Sequence, residues 1–183
     1  MIGKKNIVFG FLYLVLTASL GPYMVVKMLP EVGVAQSDKQ AKLGRLQQLK
    51  INQFEEDLEK LSPKQIAEAN ADAILAINKL LNSRQPLDSV KGGAHAHGNL
   101  EALLNIAAGV VLCFIAVAPL FKQIISWLFI AGALLHSGML YLLNFDQAWA
   151  LKLLPLGPWL VLLALLLIGI AALIGFKGTI VKD

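Results

Sequence analysis

The amino-acid sequence predicts an all-α integral membrane protein, a four-helix bundle with an extramembrane helical hairpin between its first and second membrane helices. Of its 183 residues, 57% are hydrophobic and 15% are charged, which departs from the composition of soluble globular domains. The apolar residues concentrate in long runs, and each run is long enough for a helix that crosses about 30 Å of hydrocarbon. Because the runs do not alternate apolar with polar residues, strands of a membrane barrel are not expected.

Four apolar runs set the predicted membrane helices and the domain boundaries. They are residues 7–26, 100–121, 124–143 and 154–176. The first run exceeds the roughly 7–15 apolar residues of a secretory signal peptide, so we interpret it as a retained anchor. We therefore expect helix one within 1–29, an outer helical hairpin and loop at 30–97, and helices two to four within 98–183.

Basic residues near the ends of the runs predict the orientation of the chain. These residues are Lys4, Lys5, Lys122, Lys177 and Lys182. Four crossings place all of them on one side, which we expect to be the cytoplasm of a bacterial inner-membrane protein. Both termini would then be cytoplasmic, and residues 30–97 would lie on the outer side. The cytoplasmic lysines account for part of the net charge of +4, so no nucleic-acid partner is expected.

The outer segment predicts two amphipathic helices that form a hairpin. The first spans residues 36–61, and its apolar stripe is Ile51, Phe54, Leu58 and Leu61. The second starts after Ser62, an N-cap followed by Pro63 at the first helical position and by Gln65, which completes a capping box. Its apolar stripe is Ile66, Ala73, Ile77 and Leu80. Since two short helices bury little core alone, we expect the hairpin to pack on the bundle or on other membrane subunits.

The stretch between the hairpin and helix two is expected to be a loop. Pro86 and the pair Gly92–Gly93 disfavour a continuous helix there. The histidine pair His95 and His97 follows directly, where the polar segment meets the second apolar run.

Polar side chains within the apolar runs are costly in a bilayer and usually mark function. On helix two, His97, Glu101 and Asn105 are four residues apart, so they form one supporting polar stripe along a helix face. His136 lies within helix three. The outer half of the predicted bundle also contains the methionines Met24, Met28 and Met139.

Histidine and methionine are ligands of haem iron, and they also suit copper. The alternative is that His95 and His97 lie in interfacial water and that His136 bonds a neighbouring helix. Counted outward from Lys122 at about 1.5 Å per residue, His136 lies roughly 21 Å up and His97 roughly 37 Å up. Straight helices would therefore keep these two histidines from sharing one metal, unless the segment around His97 dips into the bundle.

The order of these features resembles small four-helix membrane proteins described as haem–copper oxidase subunit I-like. Helix one carries "FGFLYLVLTASLGPYM", helix two opens with "AHAHGNLEAL", and helix three carries "LLHSGMLYLL". In that family a Leu-Gly-x-x-Met helix precedes a helix that opens His-Ala-His-x-Asn-Leu. The resemblance covers the four membrane helices and not the outer hairpin. It implies that His95 or His97 binds haem b, with His136 as a second candidate ligand.

The leading expectation is a membrane protein that binds haem b and serves electron transfer or a respiratory-type redox complex as an accessory subunit. One alternative is a copper-binding membrane protein that uses His95, His97 and the three methionines. Another is a structural subunit without a cofactor. Independent catalytic activity is not expected, because the sequence contains no Ser/His/Asp set, glycine-rich phosphate loop or zinc protease motif.

Overall fold

The computed structural model describes residues 1–181 and 183, and in them helices dominate, as the sequence predicts. Lys182, which we expected on the cytoplasmic side, lies outside the described residues. In chain order the elements are α1 (Ile2–Ala18), α2 (Leu20–Tyr23), a π-helical turn (Met24–Met28), α3 (Leu29–Ile51), β1 (Glu55–Glu56), β2 (Glu59–Lys60), α4 (Pro63–Val90), a π-helical turn (Lys91–His95), α5 (Ala96–Leu112), α6 (Pro119–Ala133), a π-helical turn (Leu134–Gly138), α7 (Met139–Leu143), a 3₁₀ helix (Ala148–Lys152) and α8 (Leu156–Gly175).

The described chain divides into two compact units. The bundle unit comprises Met1–Pro22 and Ser89–Asp183, and the hairpin unit comprises Tyr23–Asp88. In the bundle unit α1 packs along α5 and α6, and α6 packs along α8.

Small residues allow α1 and α5 to approach closely. A Cβ atom on Gly10 would lie 2.6 Å from Ile106 Cγ1, and one on Gly109 would lie 2.6 Å from the Gly3 carbonyl oxygen. Neither position accepts a larger side chain without moving a backbone. Contacts of this kind are typical of helix pairs in membranes, where small residues bring the backbones together.

In the bundle unit large apolar side chains are exposed and small or polar ones are buried, a distribution that fits lipid surroundings. The buried residues of α1 are mostly small or polar, namely Ile2, Gly3, Asn6, Gly10, Tyr13 and Thr17. Its large apolar residues point outward instead, with Leu12 68% and Val15 72% exposed. On α8, Leu173 is 89% exposed. Water would disfavour such a surface, whereas acyl chains cover it without cost.

Among the described residues, three helices are long and apolar enough to cross a membrane: Ile2–Ile51 near its N-terminal end, Pro119–Leu143 and Leu156–Gly175. The second predicted crossing, residues 100–121, is not among them. Helix α5 ends at Leu112, and the chain then runs without a helix to α6, which begins at Pro119. Polar residues in α5 lower its hydropathy, and two of them, Glu101 and Asn105, are buried within the bundle unit. A membrane crossing by residues 100–121 therefore stays a prediction.

The hairpin unit corrects the first predicted outer helix. Helix α3 ends at Ile51, and residues 52–61, which we expected to be helical, form a turn and a short antiparallel β-hairpin. Four residues there adopt positive φ angles: Gln53, Phe54, Asp57 and Leu58. Leu58 is 98% exposed, so its place in a buried apolar stripe was wrong. Its spacing resembled a helix period, but the chain reverses direction here instead.

The second outer helix begins as predicted. The Ser62 backbone N–H donates to Gln65 Oε1 at 2.9 Å, and the Gln65 N–H donates to Ser62 Oγ at 3.3 Å. These two bonds are the reciprocal pair of a capping box, and they satisfy donors at the start of α4. Ala73 and Leu80, two members of the predicted stripe, are buried.

The loop predicted at residues 82–93 is wrong, because helix runs through Pro86 to Val90 and continues in a π-helical turn to His95. Pro86 cannot donate to the Asn82 carbonyl, but both residues are exposed, so water can satisfy that carbonyl. Leu80 and Leu87, on either side of Pro86, pack with a common apolar cluster on α3. Packing on both sides therefore keeps the helix continuous across the proline.

Candidate functional site

Buried polar side chains lie within the bundle unit, on α1, α5, α6 and the π-helical turn Leu134–Gly138. Apart from Lys122, described below, they are Asn6, Thr17, Glu101, Asn105, Ser126 and Ser137, each at most 4% exposed. A buried polar group is costly unless it is hydrogen-bonded. Each of these side chains has hydrogen-bond partners, so they form connected networks.

Glu101, on α5, is the centre of the first network. His136 Nδ1–H donates to Glu101 Oε1 at 2.6 Å. The Ser137 backbone N–H, at 3.3 Å, and the Ser137 hydroxyl both donate to Glu101 Oε2. Three donors from two consecutive residues thus converge on one carboxylate.

Tyr13 extends this network to α1. Its hydroxyl lies 2.9 Å from Ser137 Oγ and 3.3 Å from the Ala133 carbonyl oxygen. Because the single hydroxyl hydrogen of Ser137 is donated to Glu101, the tyrosine donates to Ser137. The result is a continuous line of hydrogen bonds from Tyr13 through Ser137 to Glu101, which His136 joins from the other side.

The backbone around His136 is held by a π-helical turn and by a glycine. A π-helical turn is frequently found at functional sites, because its wider hydrogen-bonding pattern redirects side chains. A Cβ atom on Gly157, at the start of α8, would lie 2.5 Å from His136 Cβ. Only glycine therefore lets α8 lie directly against this turn.

A second network surrounds Asn105, one helical turn beyond Glu101. Asn105 Nδ2 donates to the carbonyl oxygens of Glu101, at 3.0 Å, and Phe129, at 3.2 Å. Asn6 Nδ2 donates to Asn105 Oδ1 at 3.0 Å, and the Ser126 hydroxyl donates to Asn6 Oδ1. The two amides therefore join α1, α5 and α6 through buried polar contacts.

The structure brings His97 close to His136, contrary to the height estimate. Their ring centroids are 4.7 Å apart with an interplanar angle of 54°. The estimate was wrong because it assumed that helix two reaches the level of Lys122. Since α5 ends at Leu112, His97 lies 15 residues from its end, and His136 lies 17 residues from the start of α6 at Pro119. At about 1.5 Å per residue these positions are nearly level.

His95 lies in the π-helical turn before α5 and is held differently. Its Nδ1–H donates to the carbonyl oxygen of Thr17, on α1, at 3.0 Å. The Thr17 hydroxyl in turn donates to Asn99 Oδ1 at 2.8 Å. His95 is partly buried whereas His97 is exposed, so the two residues of the His-x-His pair have separate surroundings.

The predicted methionine ligands are divided between the units. Met139 belongs to the bundle unit, whereas Met24 and Met28 belong to the hairpin unit. In the part of the chain that the structure describes, no three His, Cys, Asp or Glu side chains form a group that could hold a metal ion by themselves.

Several network residues on helix one were missed by the sequence reasoning. Asn6, Tyr13 and Thr17 lie on one face with Gly3 and Gly10, at spacings of three and four residues. This small and polar periodicity was the available signal. It was overlooked because the long apolar run suggested an anchor without an inward face.

The lysine between helices two and three also differs from expectation. Lys122 is only 1% exposed, and its ammonium forms an ion pair with the Asp183 carboxylate. Asp183 Oδ2 also accepts from the Ile2 backbone N–H at 2.7 Å. Burial acts to raise the pKa of Asp183, but the hydrogen bonds from Lys122 and Ile2 outweigh it and lower the pKa below its ordinary value.

What the site can bind follows from the ring nitrogens of His95 and His136 that are not used in hydrogen bonds within the network. His95 and His136 each commit Nδ1 to an oxygen acceptor, so the neutral ring presents Nε2 as a lone-pair donor. A backbone carbonyl or carboxylate on the far nitrogen is the usual support of a metal-ligating histidine.

No protein-family model, curated protein or solved structure matches this chain.

Proposed function

We propose that this chain is a membrane protein that binds haem b through its histidines and serves electron transfer or a redox complex. The observation that carries the proposal is the orientation of His136 and His95. The hydrogen bonds of Nδ1 to Glu101 and to the Thr17 carbonyl fix each ring and leave Nε2 available. A carboxylate partner also raises the basicity of the ligating nitrogen.

The donor set fits haem better than a bare metal ion. The porphyrin itself provides the equatorial nitrogens, so one or two histidines are sufficient to hold the iron. When bound, haem b supplies one-electron chemistry to the site. The chain's own contribution is to fix the rings of His136 and His95 and to surround them with apolar helices. Glu101 and Thr17 act as positioning residues and are not ligands.

A copper ion is the second candidate, and the contact between His97 and His136 favours it. Ring centroids 4.7 Å apart are compatible with two imidazoles on neighbouring positions of one small ion. Met139 belongs to the same unit as these histidines, and a thioether suits copper. Copper would then have the exposed His97 as a ligand, whereas haem binding through His136 and His95 does not need His97.

An optical spectrum and a metal analysis of the detergent-solubilised full chain test both candidates. Haem binding predicts a Soret band and iron, and both are lost on His136→Ala. Copper binding predicts retained copper without iron, and loss on His97→Ala as well as His136→Ala. The exposed Trp159, replaced by Phe, serves as a matched control and retains either metal. A colourless protein free of both metals after expression with added haem and copper removes the proposal and leaves a structural subunit.

A further inference from the structure

A groove of about 600 Å³ runs along the surface of the bundle unit between α1 and α6. Lys4 and Lys5 lie at its start, and Val8, Leu12 and Trp127 line its length. The α1 positions are one helical turn apart, so they share one face of that helix. The groove is remote in sequence from the histidines and does not depend on what they bind.

The two ends of the groove differ in chemistry. At its start the ammonium of Lys5 lies 4.0 Å from the ring centroid of Trp127 and donates to Gln123 Oε1 at 2.6 Å. Lys4 is exposed beside it. Among the described residues, no acidic side chain lines the groove. Two positive charges therefore lie together, and among the described residues neither forms an ion pair with a carboxylate, since Asp183 is paired with Lys122.

The remainder of the groove is apolar and open. Val8 is 48%, Leu12 68% and Trp127 58% exposed. Ile130, on α6, forms part of the floor. An indole at this position is typical of the interface between headgroups and acyl chains.

We propose that this groove binds an anionic phospholipid, with its phosphate at Lys4 and Lys5 and an acyl chain along Val8, Leu12 and Trp127. Charge complementarity selects this occupant, because a neutral lipid would gain from the apolar wall but not from the two ammonium groups. Basic pockets between membrane helices recognise lipid headgroups in this way, and each lysine near an anionic surface strengthens binding about fivefold.

Quenching of Trp127 fluorescence by brominated lipids tests the proposal. The background variant carries Trp149→Phe and Trp159→Phe, so that Trp127 is the only indole that reports. Dibrominated phosphatidylglycerol is titrated into the detergent-solubilised full chain, and dibrominated phosphatidylcholine is titrated in parallel. We expect saturable quenching by phosphatidylglycerol at a concentration at least fivefold lower than for phosphatidylcholine. Replacing both Lys4 and Lys5 by Gln is expected to weaken phosphatidylglycerol binding by tenfold or more.

Lys177→Gln is the matched control, because Lys177 is exposed and is not part of the groove. It is expected to leave the titration unchanged. Equal quenching by the two lipids, or equal weakening by the control and by the Lys4 and Lys5 variants, overturns the proposal. Native mass spectrometry of the wild-type chain gives a second reading that needs no tryptophan replacement. Preferential retention of phosphatidylglycerol over phosphatidylcholine supports the proposal, and its absence contradicts it.

Discussion

The His136 ring and the Glu101 carboxylate are joined by a hydrogen bond of 2.6 Å between Nδ1 and Oε1. They are 35 residues apart in sequence and belong to different helices of the bundle unit. The Glu101 side chain is 5% exposed and that of His136 is 17% exposed. The carboxylate is therefore the inner partner, and it fixes the histidine so that its other nitrogen points away from the network.

Replacing Glu101 by Gln should weaken the contacts that fix the orientation of the His136 ring. The amide nitrogen would face either the His136 N–H or the donors of Ser137, so at least one hydrogen bond is lost. We expect cofactor affinity to fall about 10–100-fold, as for other supports of metal-ligating histidines. Titration of the purified variant with haem or copper measures this change. Glu68→Gln, at an exposed position of α4, is the control, and equal affinities in the two variants would contradict the positioning role.

Asn6→Ala should destabilise the bundle unit by about 1–3 kcal/mol, because Asn105 and Ser126 would lose a buried hydrogen-bond partner. Thermal unfolding in detergent, followed by circular dichroism, measures the loss. Asn78→Ala, at an exposed position, should stay within about 0.5 kcal/mol of the wild type. Similar midpoints for both variants would show that the amide network contributes little.

Gly10 and Gly169 form a matched pair of helical glycines. A methyl group on Gly10 collides with α5, whereas one on Gly169, on α8, meets nothing within 4 Å among the described residues. Gly10→Ala is expected to cost about 1–3 kcal/mol through overpacking. Gly169→Ala is expected to stabilise by up to about 1 kcal/mol through helix propensity. Denaturation midpoints measure both changes, and shifts of the same sign relative to the wild type would be inconsistent with this packing.

The lowered pKa of Asp183 predicts a dependence of stability on pH. Because its pKa is lower in the folded than in the unfolded chain, its contribution is present above its ordinary value of 3.8. That contribution is lost as the pH falls through the folded-state value. The wild-type melting midpoint should thus fall more steeply on acidification than that of Asp183→Asn. Asp88→Asn, which is exposed, should retain the wild-type slope, and parallel curves for all three would refute this assignment.

Leu58→Gly should stabilise the hairpin unit. Leu58 has a φ of 66° and is 98% exposed, so it contributes strain without burial. Glycine adopts this conformation freely, and we expect a gain of up to about 1 kcal/mol. Leu81→Gly, in the exposed face of α4, should instead cost about 1 kcal/mol. A loss at both positions, measured by thermal unfolding, would argue against relieved strain at Leu58.

The sequence was informative about elements and less so about contacts. Apolar runs predicted the helical class, and the residues Ser62 and Gln65 predicted the start of α4, because both signals are local. The end of α5 at Leu112 was not predictable from hydropathy, since the residues after it are equally apolar. The proximity of His97 to His136 depends on that helix end, so the error in this boundary shifted the estimated height of His97 by about 15 Å, half of the hydrocarbon thickness. The spacing of Asn6, Tyr13 and Thr17 indicates a polar face of α1, but it does not identify the residues of α5 and α6 that this face contacts.

The π-helical turn Leu134–Gly138 sets the angular positions of the residues that lie within it. A π-helical turn holds one residue more than an α-helical turn at the same point. Deleting Leu134 would restore an ordinary α-helical turn, so the residues after Gly138 would keep approximately their angular positions relative to α6. His136 and Ser137 lie within the turn, so they would be displaced relative to Glu101 although no side chain of the network had been substituted. The extra residue therefore acts as a local insertion that sets the angular position of the histidine, and its deletion should disrupt the site while the helix on either side keeps its packing.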